Sequence, residues 1–204
     1  MEKAARSVAI LAGGRATRFG GRDKSTLVVG GRPILERQIA ELGQLSDDLL
    51  LVGSRGDRWP AELQSRVRRI ADIVSGSGPL GGIHAALTEA RGDAVLIVAC
   101  DMPYVTADFA EYLFSLAGAA YVVVPRGEDG DHPLCAIYGR ECLDAAARLL
   151  AERRLALREL LSAVPSRFVD TEDIARFGAP PRLLANVNTP AEFAGLEALQ
   201  DHKL

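Results

Sequence analysis

A chain of 204 residues is long enough to bury one α/β core and too short for two large domains. Hydrophobic residues make up 48% of it, and 24 Lys and Arg stand against 27 Asp and Glu for a formal net charge of −3. That balance excludes an extended disordered chain and disfavours a nucleic-acid-coating role.

Taken in chain order, apolar β-branched runs predict strands at Val8–Leu11, Leu49–Val52, Val67–Ile73, Ala94–Ala99 and Tyr121–Pro125. Helix-period patterns fall between them, clearest in Ile34–Leu42, Leu80–Ala90 and Ala107–Leu116. Gly127–Asp131 reads as a polar turn, His132–Tyr138 as a further strand, and Glu141–Leu161 as one or two amphipathic helices. A last helix is expected after Asn186, with Thr189 as N-cap and Pro190 at its first position. Strands that are apolar on both faces and alternate with helices predict an α/β fold. The expected form is a single Rossmann-like, three-layer domain over residues 1–204, its mostly parallel sheet flanked by helices. In such sheets ligands sit beyond the carboxyl ends of the strands.

None of the apolar runs approaches the roughly 20 residues of a membrane helix. No basic stretch followed by an apolar segment opens the chain, so a cytoplasmic protein with neither membrane nor nucleic acid as partner is expected. Cys100, Cys135 and Cys142 cannot all pair and show no C-x-x-C spacing, so reduced thiols are expected.

Polar oddities cluster just after the predicted strands. Leu11-Ala12-Gly13-Gly14 begins a loop that continues through Arg15, Arg18, Gly20, Gly21, Arg22 and Asp23 to Lys24. Its glycines permit close backbone approach to a ligand, and exposed N–H groups with Arg18 and Lys24 suit a polyphosphate. A Walker A loop needs Gly before the Lys, where Asp23 stands, and the spacing does not give G-x-G-x-x-G either.

Gly76-Ser77-Gly78-Pro79-Leu80-Gly81-Gly82 precedes a helix and reads either as a plain turn or as a loop against a flat base. Asp72 closes the third strand. Asp101 follows the fourth in Cys100-Asp101-Met102-Pro103, as a turn acid or as a magnesium ligand beside phosphate oxygens. Asp131-His132-Pro133-Leu134 and Asn186-Val187-Asn188-Thr189-Pro190 are the remaining candidates. His132 can also be a satisfied structural residue, and the asparagines a helix-capping turn.

The pattern L-A-G-G-x-x-x-R-F-G-G-x-D-K, with G-P-L-G-G, C-D-M-P and N-V-N-T-P, resembles the molybdenum cofactor guanylyltransferases of the nucleotidyltransferase superfamily. The resemblance implies the nucleotide-diphospho-sugar transferase type of fold, with the N-terminal part binding GTP and the C-terminal part the acceptor. It implies nucleotide binding by Leu11, Ala12, Gly13, Gly14, Lys24, Asp72, Gly78, Pro79, Leu80, Gly82 and Asp101. Lys24, Arg18 and Asp101 would be catalytic, with Asp101 holding Mg2+. Asp131, His132, Pro133, Asn186 and Asn188 would meet the molybdopterin cofactor. Molybdoenzymes or their chaperones would be recipients of the product. Arg153 and Arg154 fall where the family often has basic residues, although a solvated helix face explains them equally well. A CTP- or sugar-phosphate-using nucleotidyltransferase and a non-catalytic cofactor carrier are the alternatives.

Overall fold

The computed structural model describes residues 5–12, 28–29, 31–53, 64–71, 76–118 and 120–187. Gly13, Gly14, Arg18, Lys24, Asp72, Asn188 and the expected last helix lie outside the described residues.

Strand β1 (Arg6–Leu11) comes first, and a small hairpin of β2 (Val28–Val29) and β3 (Arg32–Pro33) leads into α1 (Ile34–Leu42). Then follow β4 (Leu49–Val52), β5 (Arg68–Ile70), α2 (Gly78–Glu89), β6 (Ala94–Ala99) and α3 (Ala107–Ser115). The second half holds β7 (Val122–Gly127), β8 (Gly130–Asp131), β9 (Cys135–Gly139), α4 (Leu143–Ala151) and α5 (Leu157–Ala163). It continues with β10 (Ser166–Val169) and the short helices α6 (Thr171–Ile174) and α7 (Pro180–Leu183).

One sheet runs β10-β7-β9-β6-β1-β4-β5, with β8 paired to β7. Along that order every strand is parallel to its fellows except β9, which is antiparallel to both β6 and β7. The mostly parallel sheet expected from the sequence is present.

Alternation along the central strands builds three layers. Val8 and Ile10 of β1, with Leu96 and Val98 of β6, pack beneath α1 and α3 against Ile39, Leu42, Phe109 and Leu113. Ala9 and Leu11, with Val95 and Ile97, face α2, α4 and α5 through Ile83, Leu87, Leu149 and Leu160. Both faces of β6 are thus covered, which is why AVLIVA carries no polar residue.

Several boundaries differ from expectation. The strand read as His132–Tyr138 begins only at Cys135, because His132–Leu134 turns instead: the N–H of Cys135 donates to the His132 carbonyl at 3.0 Å. The Gly127–Asp131 turn is a β7–β8 hairpin. Glu141–Leu161 divides into two helices, with Arg153 at φ 57 in the break. Among the described residues no helix is long and apolar enough to cross a membrane.

At the amino ends of the central strands, Asp48 gathers a buried polar knot. It accepts from Ser7 Oγ at 2.5 Å, the backbone N–H of Arg91 at 2.8 Å and Arg68 Nε at 2.9 Å. Ser7 Oγ in turn accepts from the N–H of Gly92 at 2.9 Å. Burial pushes the Asp48 carboxyl up, but Arg91, Ser7 and Arg68 together outweigh it and hold it below its ordinary value of 3.8. A carboxylate whose folded-state pKa is depressed stabilises the fold above its unfolded pKa, and this contribution is lost as pH falls through the folded value. Asp48→Asn should therefore cost about 2 kcal/mol at pH 7. The gap from the parent protein should shrink once pH drops below 3.8. Urea melts at pH 7 and pH 3 check this; an equal gap at both would remove the carboxylate's charge as the cause.

Candidate active site

The carboxyl ends of β1 and β6 meet in one backbone knot. The N–H of Cys100 donates to the Leu11 carbonyl at 3.0 Å, and that of Ala12 to the Val52 carbonyl at 2.9 Å. Because β9 runs the other way, its leading residues lie at the same edge, and the N–H of Ala99 reaches the Leu134 carbonyl at 2.9 Å. The chain then turns through Ala99–Met102, closed by the Met102 N–H on the Ala99 carbonyl at 3.2 Å. Asp101 is half-buried in this turn, and its carbonyl accepts from the Val187 N–H at 2.7 Å. Val187 is anchored by packing with Val29, Ile34 and Tyr104.

Leu11, Ala12, Asp101 and Asn186 are thus brought to one rim, although far apart in sequence. Asn186 is exposed, one residue before the anchor. These backbone tethers fix where the Asp101 side chain starts.

Gly78, Pro79, Leu80 and Gly82 form the opening turns of α2 rather than a separate loop. Gly78 has φ +57, a left-handed conformation that a side chain disfavours. Gly78 and Pro79 are exposed, whereas Leu80 is fully buried and acts through packing. Gly82 lies directly over β1: a Cβ there would come within 3.3 Å of Leu11 Cδ2. The glycine therefore lets α2 approach the strand end from which the glycine-rich segment departs.

Asp131, His132 and Pro133 all have work in the hairpin. Asp131 accepts from Arg126 Nε at 2.6 Å, and that carboxylate's hydrogen bond raises the Arg126 pKa. His132 Nε2 lies 2.9 Å from Asp129 Oδ1, and the His132 N–H donates to the Pro125 carbonyl at 2.9 Å. The Pro133 carbonyl accepts from the buried Tyr138 hydroxyl at 2.8 Å. This segment shapes the rim beside Ala99. Arg154 is held by Glu152 at 3.1 Å and Glu159 at 2.9 Å.

No thiol is poised for attack. All three cysteines are buried thiols, and burial pushes Cys135 and Cys142 up to about 12. Among the described residues no group of three or more His, Cys, Asp or Glu could hold a metal. Magnesium needs only one or two carboxylates beside phosphate oxygens and water, so Asp101 fits as a ligand of that kind.

Two features were absent from the sequence reading. Gln38 of α1 is 1% exposed, and its amide donates to the carbonyls of Ala99 at 2.8 Å and Met102 at 3.0 Å. The signal was a polar residue on the apolar stripe of Ile34, Leu35, Ile39 and Leu42. A cavity of about 870 Å3 also opens between α1, residues 103–106 and residues 177–183. Arg32, Arg37 and Arg182 line it, beside Tyr104 and Phe177.

Comparison with known proteins bears on this arrangement. Residues 8–168 match the model of the MobA-like NTP transferase domain. A Pelotomaculum thermopropionicum protein described as a probable molybdenum cofactor guanylyltransferase is 30% identical, over 95% of this chain and 92% of its own length. The crystal structure of molybdopterin-guanine dinucleotide biosynthesis protein A from Archaeoglobus fulgidus superposes with a TM-score of 0.77 at 24% identity, covering 96% of this chain and 98% of that one. A Mycobacterium tuberculosis protein solved in complex with manganese superposes at 0.59, with 18% identity over 82% of this chain and 88% of its own. The last two likenesses speak to fold.

The close approach of α2 to β1 is directly testable. Gly82→Val must displace either Leu11 or the helix, so it should cost about 2 kcal/mol. A thermal melt would show this as a fall of several degrees in Tm; an unchanged Tm would mean that the contact is slack.

Proposed function

The chain belongs to the MobA-like NTP transferase family, nucleotidyltransferases, and from that footing we propose that it transfers GMP from GTP to the terminal phosphate of molybdenum-loaded molybdopterin. The products are molybdopterin guanine dinucleotide and pyrophosphate. The observation that carries this reading is the turn holding Asp101. It is tied on one side to Leu11, where the glycine-rich segment leaves β1, and on the other to Val187, beside Asn186. On this reading the stretches that would bind nucleotide and acceptor both border the turn that carries Asp101.

In this reading residues 1–204 act as one unit. Gly13, Gly14, Arg18, Lys24, Asp72 and the opening of α2 serve the nucleotide. Asn186 and Asn188 serve the acceptor, with Asp131, His132 and Pro133 shaping the wall. Asp101 would hold a divalent cation, magnesium, which when bound neutralises charge on the phosphate oxygens. Lys24 and Arg18 add positive charge where negative charge gathers in the transition state. The acceptor phosphate is already ionised near neutral pH, so the residues need only orient it in line with the α-phosphorus. Positioning and charge neutralisation dominate such reactions. The buried, high-pKa thiols agree with that, since no covalent relay is required.

The buried thiols also support a reducing compartment such as the cytoplasm. Delivery of the product to molybdoenzymes or their chaperones would follow transfer.

A pyrophosphate-release assay with magnesium, the molybdenum-loaded pterin and GTP, CTP or UTP tests the reading. GTP alone should give rapid release; equal rates with CTP would point to a cytidylyl transferase, and pterin binding without release to a carrier. Lys24→Ala should lower turnover by about 100-fold or more with an unchanged Tm. Near-normal turnover in that variant would remove Lys24 from the site.

A further inference from the structure

We propose that Gln38 is a positioning residue for Asp101, an inference that rests on the transferase reading above. Gln38 lies outside every motif that the sequence marks as functional, in the middle of α1 and 1% exposed. Its Nε2 donates to two carbonyls that bracket the key acid, Ala99 on one side and Met102 on the other. Only an NH2 group can face two carbonyl oxygens at once, so the orientation of the amide follows from its neighbours.

The other half of the amide argues that this donation is the residue's purpose. Gln38 Oε1 is buried with no hydrogen-bond partner among the described residues. A buried, unpartnered acceptor is unfavourable, and an apolar side chain of similar length would suit the stripe of Ile34, Leu35, Ile39 and Leu42 better. What the apolar residue would lack is the pair of donors. Backbone hydrogen bonds tie the rest of the turn to its neighbours: Cys100 to β1, Ala99 to the residue before β9, Asp101 to Val187. Gln38 supplies the tie from the α1 side and closes the turn from below. Without it the Ala99 and Met102 carbonyls lose their shared donor, and the turn that carries Asp101 is held less firmly. A carboxylate that must meet a cation and phosphate oxygens at fixed distances is sensitive to such loosening.

The test compares the parent protein with Gln38→Met, which keeps the length and removes both donors, and Gln38→Asn, which keeps the amide but is too short to reach both carbonyls. Ile39→Val serves as a control that loosens the same helix without touching the turn. Manganese binding is read by electron paramagnetic resonance in the presence of a GTP analogue with a methylene bridge between the α and β phosphorus atoms, so that no turnover is needed. Gln38→Met should weaken manganese binding about tenfold and Gln38→Asn by less. KM for GTP at saturating magnesium should stay within about threefold. Ile39→Val should lower Tm and leave manganese binding unchanged. Native manganese affinity in Gln38→Met overturns the proposal, as does an equal loss in Ile39→Val, which would make the effect one of general stability. Should Gln38→Met not fold, Gln38→Asn is judged by the same criterion: native affinity overturns the proposal and weakened affinity supports it. A parent protein that binds no manganese with the analogue would instead overturn the transferase reading itself.

Discussion

The hydrogen bond from the Cys100 N–H to the Leu11 carbonyl is the constraint on which the candidate site depends. It continues the parallel pairing of β1 and β6, in which Leu11 stands opposite Ala99, one step past the last strand residue. Parallel pairing has the useful property that both strands deliver their loops at the same edge. The glycine-rich segment and the Cys100-Asp101 turn therefore start side by side because of register, before any side chain contributes. The reversed strand β9 adds to this, since its beginning rather than its end lies at that edge.

The opposite edge has a different chemistry. There Ser7, Asp48, Arg68 and Gly92 form a closed network in which the charged and polar groups satisfy one another. Arg140 reinforces it through the Ala90 and Gly92 carbonyls at 2.6 and 3.1 Å. A sheet locked by polar contacts at its amino ends can leave its carboxyl ends to the loops that carry functional residues. The division of labour is visible in Asp48 and Asp101. One carboxylate is enclosed by three donors, while the other belongs to a half-buried residue on a turn at the opposite edge.

Much of this was legible in the sequence. The apolar runs Val8–Leu11 of β1, Leu49–Val52 and Ala94–Ala99 announce a sheet covered on both faces, and Asp101 stands out because a carboxylate comes two residues after such a strand. The weaker elements were not legible. β10, with one fully buried residue in four, carries little periodicity, and α6 and α7 are each a single turn. Their positions are decided by tertiary contacts, such as Phe177 stacking near Phe109 and Tyr112. The sequence reads the start of α2 as loop because Gly78 and Pro79 disfavour helix interiors. They are tolerated at the first turn, where Pro has no N–H to lose. The antiparallel sense of β9 could not be read either, since strand direction leaves no trace in a five-residue apolar run.

Gln38 shows why site residues of this kind escape motif reading. Motifs record groups that touch ligands, and those groups recur at fixed spacing along a loop. A residue that acts on a loop from a neighbouring helix is separated from it by 61 and 64 positions, so no local pattern joins them. What the sequence does show is a violation, a polar side chain within an apolar stripe. Burial of such a group is unfavourable unless something pairs with it, so each violation implies a partner elsewhere in the fold. Asp48 and Ser7 are violations of the same sort at the other edge, and their partners prove to be each other. For Gln38 the partners are backbone carbonyls that would otherwise end β6 without a side-chain donor. Buried polar residues in an α/β sheet can thus be sorted by which end of the strands they serve. Those at the amino ends close the fold, and those at the carboxyl ends hold the site.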